Sequence, residues 1–151
     1  MARPSVFEFA GGEQSFLALA AATHERCLAD PELAHPFSHG DLRPDHAERL
    51  GRYWAEVFGG PPWYSEHAGQ SAMLSIHAGE GAGSDLGERF VRAFELAIDD
   101  AGLPQDPDLR ATLGRYIAWA TDEVMAYSPP GSVVPDELRV PRWGWEGLES
   151  S

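Results

Sequence analysis

The sequence predicts an all-α fold: one helical domain with a short extension after it. Three observations predict it. Apolar residues recur at intervals of three and four over most of the chain. Glycines and prolines cluster between those runs, where helices must stop. No stretch alternates apolar and polar residues over a convincing strand length. The 151 residues suit one domain, and 43% of them are hydrophobic, enough for a packed core with volume left for a cofactor.

The first long helix is predicted over 13–30, EQSFLALAAATHERCLAD, where Phe16, Leu17, Leu19, Ala20, Cys27 and Leu28 repeat at helical spacing. Gly11 and Gly12 form a flexible lead-in, and Asp30-Pro31 ends the helix or opens a further short one. Residues 31–44 hold three prolines and a glycine and read as a connector with room for one turn. A second helix, 45–60, sets Ala47, Leu50, Trp54, Val57 and Phe58 on one face, and Gly59-Gly60-Pro61-Pro62 stops it. A short helix is predicted within 67–79, ending near His77, with glycines at 79, 81 and 83 after it. Ser84 is the predicted N-cap of a helix over 85–102, with Leu86, Phe90, Phe94 and Ala97 inward and Gly102 as C-cap. The last long helix, 107–128, has proline in its first turn and a stripe of Leu109, Leu113, Tyr116, Ile117, Ala120 and Val124. Beyond Pro129-Pro130 lies a tail whose Trp143 and Trp145 either cap the bundle or face a partner.

The formal net charge is −13. A chain this acidic lacks the basic face that nucleic acid or an anionic membrane requires. The single cysteine, Cys27, excludes an internal disulfide, fits a reducing compartment and is expected to be an inert buried thiol. No apolar run approaches the ~20 residues of a membrane span, and the first residues lack the apolar core of a signal peptide. The expectation is a soluble cytoplasmic protein with no nucleic-acid or membrane partner. The acidic run 95-ELAIDD-100 reads as a solvated face.

Six histidines stand at positions 24, 35, 39, 46, 67 and 77. His24 falls on or near the buried stripe of the first long helix. His46 heads a face continued by Leu50, Tyr53 and Val57, and His77 closes an apolar run. His35, His39 and His67 lie in connector sequence. A lone histidine on an apolar face is ordinarily a satisfied core residue. Two or three from separate helices could instead ligate zinc or a di-metal centre. The bundle-core pair of Glu-x-x-His motifs of di-iron proteins is missing, since the one such spacing, Glu32 to His35, lies in the connector, and the H-E-x-x-H motif is missing too. Periodicity and composition stop at a helical domain with candidate histidine ligands.

From about Phe7 to Tyr127 the chain resembles the truncated haemoglobins, and among them the second group. The resemblance rests on Gly11-Gly12, on 30-DPELAHPF-37, on 48-ERLGRYWAEVFGGPPWYSE-66 with its G-G-P-x-x-Y-S core, and on 73-MLSIHAG-79. It implies a two-over-two helical sandwich over residues 1–128, with 129–151 as a Pro/Trp-containing C-terminal extension outside the usual pattern. It implies haem b as cofactor, with His77 as the proximal iron ligand. A five-coordinate iron needs one neutral nitrogen donor on a short element, and the glycines after His77 let the chain leave the haem face.

The same resemblance implies reversible binding of dioxygen or another diatomic ligand, and it allows peroxide- or nitric-oxide-linked redox turnover with an unidentified electron donor. It sets Phe37 against the porphyrin and Leu50 near the distal ligand, and it counts His46, Met73, Ile76 and Phe90 among the haem-binding residues. Arg49 matches a basic residue that pairs with a haem propionate, with Tyr64 adding a hydrogen bond at that edge. The distal side departs from the family. His24 stands where most members carry tyrosine, Phe90 stands where many carry tryptophan, and Phe37 removes a third common hydroxyl. Ligand stabilisation is thereby left to His24 and His46. Two other readings compete: a globin-like regulatory or interaction domain that has lost haem, and a histidine metal site without porphyrin.

Overall fold

The computed structural model describes residues 3–31, 45–71, 74, 86–127 and 131–150. Among these lie α1 (Val6–Ala10), α2 (Glu13–Ala29), α3 (His46–Val57), α4 (Trp63–His67), α5 (Leu86–Asp100) and α6 (Pro107–Ala126), then β1 (Arg142–Gly144) and β2 (Gly147–Ser150). α2 packs on α3 and on α5, and α5 packs on α6, so the long helices form the two pairs of a sandwich.

The four long helices fall where periodicity predicts them. α2 buries Phe16, Leu19, Ala20, Thr23 and Cys27. The buried Thr23 hydroxyl donates to the Leu19 carbonyl at 2.8 Å, so no polar group is left unmet there. Leu28, expected inward, is exposed. α5 buries Ala93, Phe94, Ala97 and Ile98, with Leu86 and Phe90 half-buried. α6 buries Leu109, Thr112, Leu113, Tyr116 and Ile117, while Ala120 and Val124 are covered only in part. Its N-terminus is capped by Asp106, whose carboxylate accepts the Asp108 N–H, with Pro107 leading. α5 closes as expected at Gly102. The Gly102 N–H reaches the Asp99 carbonyl and the Leu103 N–H reaches the Ile98 carbonyl. The φ of 74° at Gly102 is the left-handed conformation this cap requires. Ser84 lies outside the described residues.

The first pair of helices meets closely at Gly51. A Cβ there would stand 2.9 Å from the Leu17 Cα and 2.9 Å from the Phe16 carbonyl oxygen, so only a residue without a side chain lets the backbones approach this far. Ion pairs fasten the same elements from outside. Arg52 of α3 meets Glu13 of α2 at 2.7 Å, Arg89 of α5 meets Asp30 at 3.1 Å, and Arg26 of α2 meets Asp100 of α5. Within the acidic run, Glu95, Asp99 and Asp100 are exposed, and Asp99 pairs with Arg110.

Three elements depart from the sequence expectation. α1 stands before Gly11-Gly12, where periodicity predicts no helix. Its cap is Ser5, whose hydroxyl accepts the Glu8 N–H at 3.1 Å, a pairing written in the sequence as S-x-x-E. α4 starts directly after the Pro61-Pro62 stop, with Pro62 as its N-cap residue. The expected lack of strands is overturned at the C-terminal end. β1 and β2 pair antiparallel, with Trp143 opposite Leu148 and Gly144 opposite Gly147. Strands of three and four residues are too short for alternation to register, and the turn closes on Gly147 at a φ of 110°.

The hairpin seals one face of the bundle. Trp143 is 7% exposed and packs edge-on against Tyr116 and beside Trp119. Trp145 packs edge-on against Phe9, and its indole N–H donates to the Pro4 carbonyl at 2.8 Å. The tail tryptophans therefore cap the bundle. No described helix is long and apolar enough to cross a membrane.

Candidate functional site

His24 sits on α2 and His46 is the first residue of α3. The close crossing of these helices brings the two imidazoles together, 5.7 Å between ring centroids and tilted by 59°. Both side chains are half-buried. His46, Arg49 and Leu50 share one face of α3 by their spacing of three and four. Leu50, and Phe90 on α5, are half-buried apolar residues packed at the margin of the core. Phe90 also packs toward Cys27 and Ala93. Cys27 is fully buried; that burial, with the charge of Asp30 adding to it, pushes its thiol up to about 12, which makes it inert at neutral pH.

Arg49 lies over two aromatic rings. Its guanidinium carbon is 5.4 Å from the centre of Trp63 and 5.7 Å from the centre of Tyr64. Among the described residues no carboxylate forms an ion pair with it. Tyr64 is 5% exposed, and burial pushes its phenol up while the neighbouring Arg49 guanidinium opposes the rise. α4 is held against α3 by Glu56, a carboxylate only 3% exposed. Glu56 accepts the Ser65 backbone N–H at 2.9 Å and also the Ser65 hydroxyl. This bond fixes where Tyr64 stands.

Sequence reasoning missed Trp63, Arg52 and Glu56. Arg52 lies 5.1 Å from the same Trp63 ring, whose other neighbour is His67, stacked at 4.0 Å. The spacing of Arg49 and Arg52, one turn apart, was the available signal for a shared cationic face. A glutamate inside the apolar run AEVF was the signal for a buried anchor.

His24 and His46 are thus brought together, as are Arg49 and Tyr64, with Leu50 and Phe90 at the edge of the core. Phe37, Met73, Ile76 and His77 lie outside the described residues, as do His35 and His39. The chemistry of the described set suits a haem: imidazole N–H groups are donors for a bound ligand, apolar residues suit the ring, and a guanidinium among aromatics suits an anionic edge. Among the described residues no three histidine, cysteine, aspartate or glutamate side chains gather as a metal site.

The model of the bacterial-like globin family matches residues 5–118. Among curated proteins nothing matches. Solved structures do. The haemoglobin of the thermophilic phototrophic bacterium Chloroflexus aurantiacus is 30% identical, with a TM-score of 0.69 over 81% of this chain and 98% of that one. A thermostable haemoglobin from the actinobacterium Thermobifida fusca is 29% identical, with a TM-score of 0.68 over 88% and 100%. The group II truncated haemoglobin of Bacillus anthracis, 21% identical, shares the fold at a TM-score of 0.71 over 88% and 100%. With most of its length matched and its helical sandwich shared, the chain belongs to the bacterial-like globin family and has the fold of the group II truncated haemoglobins.

Proposed function

We propose that the protein is a haem-b truncated haemoglobin that reversibly holds dioxygen or another diatomic ligand. Globin membership implies the haem; the b type, the ligand and the residue roles are the proposal. The observation that carries it is the meeting of His24 and His46. Two half-buried imidazoles from different helices, close enough for both to serve one ligand, support that reading.

When bound, the haem supplies the iron at which a diatomic ligand coordinates. His77 would hold that iron from the proximal side. Phe37, Leu50, Met73, Ile76 and Phe90 would line the ring and keep water from it. Arg49 would meet a propionate, with Tyr64 beside it. His24 would donate to the ligand, and His46 would act as a second donor or as a gate. Peroxide- or nitric-oxide-linked redox turnover, with an external electron donor, would use the same haem. Residues 1–128 would form the globin unit and 129–151 the extension, in a cytoplasmic protein.

The test is the absorption spectrum of the purified ferric, ferrous and CO-bound forms, after expression with ample haem. A strong Soret band is the expected result. A colourless, folded protein would overturn the reading, and metal analysis would then separate a haem-free regulatory domain from a histidine metal protein.

A further inference from the structure

The N-terminal segment, the end of α3 and the C-terminal hairpin border a cavity of about 400 Å³. Cavities that take small molecules run from about 300 to 1,000 Å³, so this one has the size for a small ligand. Its apolar lining comes from Pro4, Val6, Val57 and Phe58 and from the indoles of Trp143 and Trp145. Its charged lining is Arg3, Arg142, Glu146 and Glu149. None of these residues belongs to the set proposed for the haem. The hairpin half of the cavity also lies beyond residue 118, where the match to the globin family ends.

The charges on the lining are not spent on one another. Arg3 is engaged: it pairs with Asp108 at 2.8 Å and lies 3.8 Å over the Trp145 ring. Arg142, Glu146 and Glu149 are exposed, and among the described residues none of the three forms an ion pair. Arg142 and Glu149 stand on the two paired strands of one hairpin, yet the Glu149 carboxylate is turned to Gly144, where an added Cβ would meet it at 3.0 Å. One guanidinium and two carboxylates are thus left open beside an apolar wall. A simple cation would be opposed by Arg142, and a simple anion by the two glutamates. A ligand that carries both signs satisfies both. Trp143 adds a further signal. It is 7% exposed, and its indole N–H has no acceptor among the described residues. A buried donor left unmet is costly, and an acceptor reaching it from the cavity would remove that cost.

We propose that this cavity is a binding site for a free α-amino acid with an apolar side chain. The ligand carboxylate meets Arg142, whose guanidinium can take both oxygens at once. The ligand ammonium meets Glu149 and Glu146, and the side chain lies on the apolar wall. The site is separate from the haem and stands whether or not the haem reading holds. Because its lining comes from the hairpin, from α3 and from the N-terminal segment, an occupant ties the tail to the helical sandwich and stabilises both by mass action.

The experiment titrates the full chain, as purified, with L-phenylalanine and L-leucine. Calorimetry reads affinity, and the amide and indole signals of an isotope-labelled sample read the place of binding. Three altered ligands each remove one feature: N-acetylphenylalanine lacks the cation, phenylalanine amide lacks the anion, and glycine lacks the apolar side chain. Two variants remove the protein's partners: Arg142→Gln, and Glu146→Gln combined with Glu149→Gln. All three positions are exposed, so these variants keep the hairpin. The expected result is saturable binding below about 10 mM, with signals moving at residues 142–149 and at the Trp143 indole. Each altered ligand and each variant should bind more weakly by roughly tenfold, the effect of losing one charge-assisted bond or the burial of one side chain. Binding of neither amino acid would overturn the proposal. So would equal affinity for N-acetylphenylalanine or phenylalanine amide, or equal affinity in wild type and both variants, since the paired charges would then be idle.

Discussion

The imidazole rings of His24 and His46 lie 5.7 Å apart although 21 intervening residues and a change of helix separate them in the chain. An imidazole N–H can donate to a ligand held beside it, and bound dioxygen, which carries partial negative charge, accepts such a bond. His24→Leu is expected to speed dioxygen release tenfold or so, since about 1.4 kcal/mol is a factor of ten. CO release should change far less, because bound CO carries little charge. Ligand-replacement kinetics on both gases check this. Equal effects would point to packing, and an effect from His46→Leu alone would exchange the two roles.

His77→Ala should bind haem weakly or lose it during purification, whereas His35→Ala and His39→Ala should keep the wild-type spectrum. Retention of that spectrum by the His77 variant, with no imidazole added, would remove His77 from the iron.

Arg49→Ala should speed haem loss modestly rather than abolish binding. A guanidinium and a propionate at a solvent edge are worth about 0–1 kcal/mol, and the Trp63 and Tyr64 rings already give Arg49 a place to rest. The effect should be largest at low salt. Haem-loss kinetics unchanged at low salt would argue against the contact.

Gly51→Ala tests the helix crossing, and its sign is informative. In an open helix, alanine is favoured over glycine by roughly 1 kcal/mol. Here the added Cβ meets the backbone of α2 at Leu17 and Phe16, and backbone cannot swing aside. The expectation is a net loss of about 1–3 kcal/mol, as for other overpacked sites, read by urea denaturation of the haem-free chain. A gain in stability would mean that the crossing is looser than described.

Cys27 makes a prediction about alkaline pH. Its thiol is raised to about 12 in the fold, against an ordinary value of 9.0, chiefly by burial. Folding therefore favours the neutral thiol, and that contribution is complete below pH 9 and lost as the pH climbs toward 12. Wild type should lose stability more steeply than Cys27→Ala across that window, measured as paired denaturation curves. Parallel pH profiles for the two proteins would contradict it. The folded thiol should also resist aromatic disulfide reagents at pH 8.

Legibility in the sequence followed the length of the signal. α2, α3, α5 and α6 each repeat their apolar residues over three turns or more, and each lies where that repeat puts it. Leu28 misled because an apolar residue near a helix end carries the right spacing whichever way it faces, and it is exposed. α1 and α4 have five residues apiece, too few for a period, although the Ser5–Glu8 cap was readable. The hairpin depends on Trp143 and Trp145 finding Tyr116 and Phe9, contacts that no local pattern encodes. At the site, residue types and resemblance named His24, His46, Arg49 and Tyr64. The Glu56–Ser65 bond and the Arg52–Trp63 contact were hidden, because each joins elements across the Pro-Pro stop.

The hairpin that covers Tyr116, Trp119 and Phe9 leaves the ribosome after all four long helices. Until Trp143 and Trp145 emerge, every nascent chain shows that aromatic face to water, even with its four long helices already synthesised. An aromatic surface open for that interval is one to which other unfinished chains adhere. Premature stops between residues 128 and 142 should therefore yield helical but aggregating protein, and a slow stretch of translation there would lengthen the time that chaperones have to shield it.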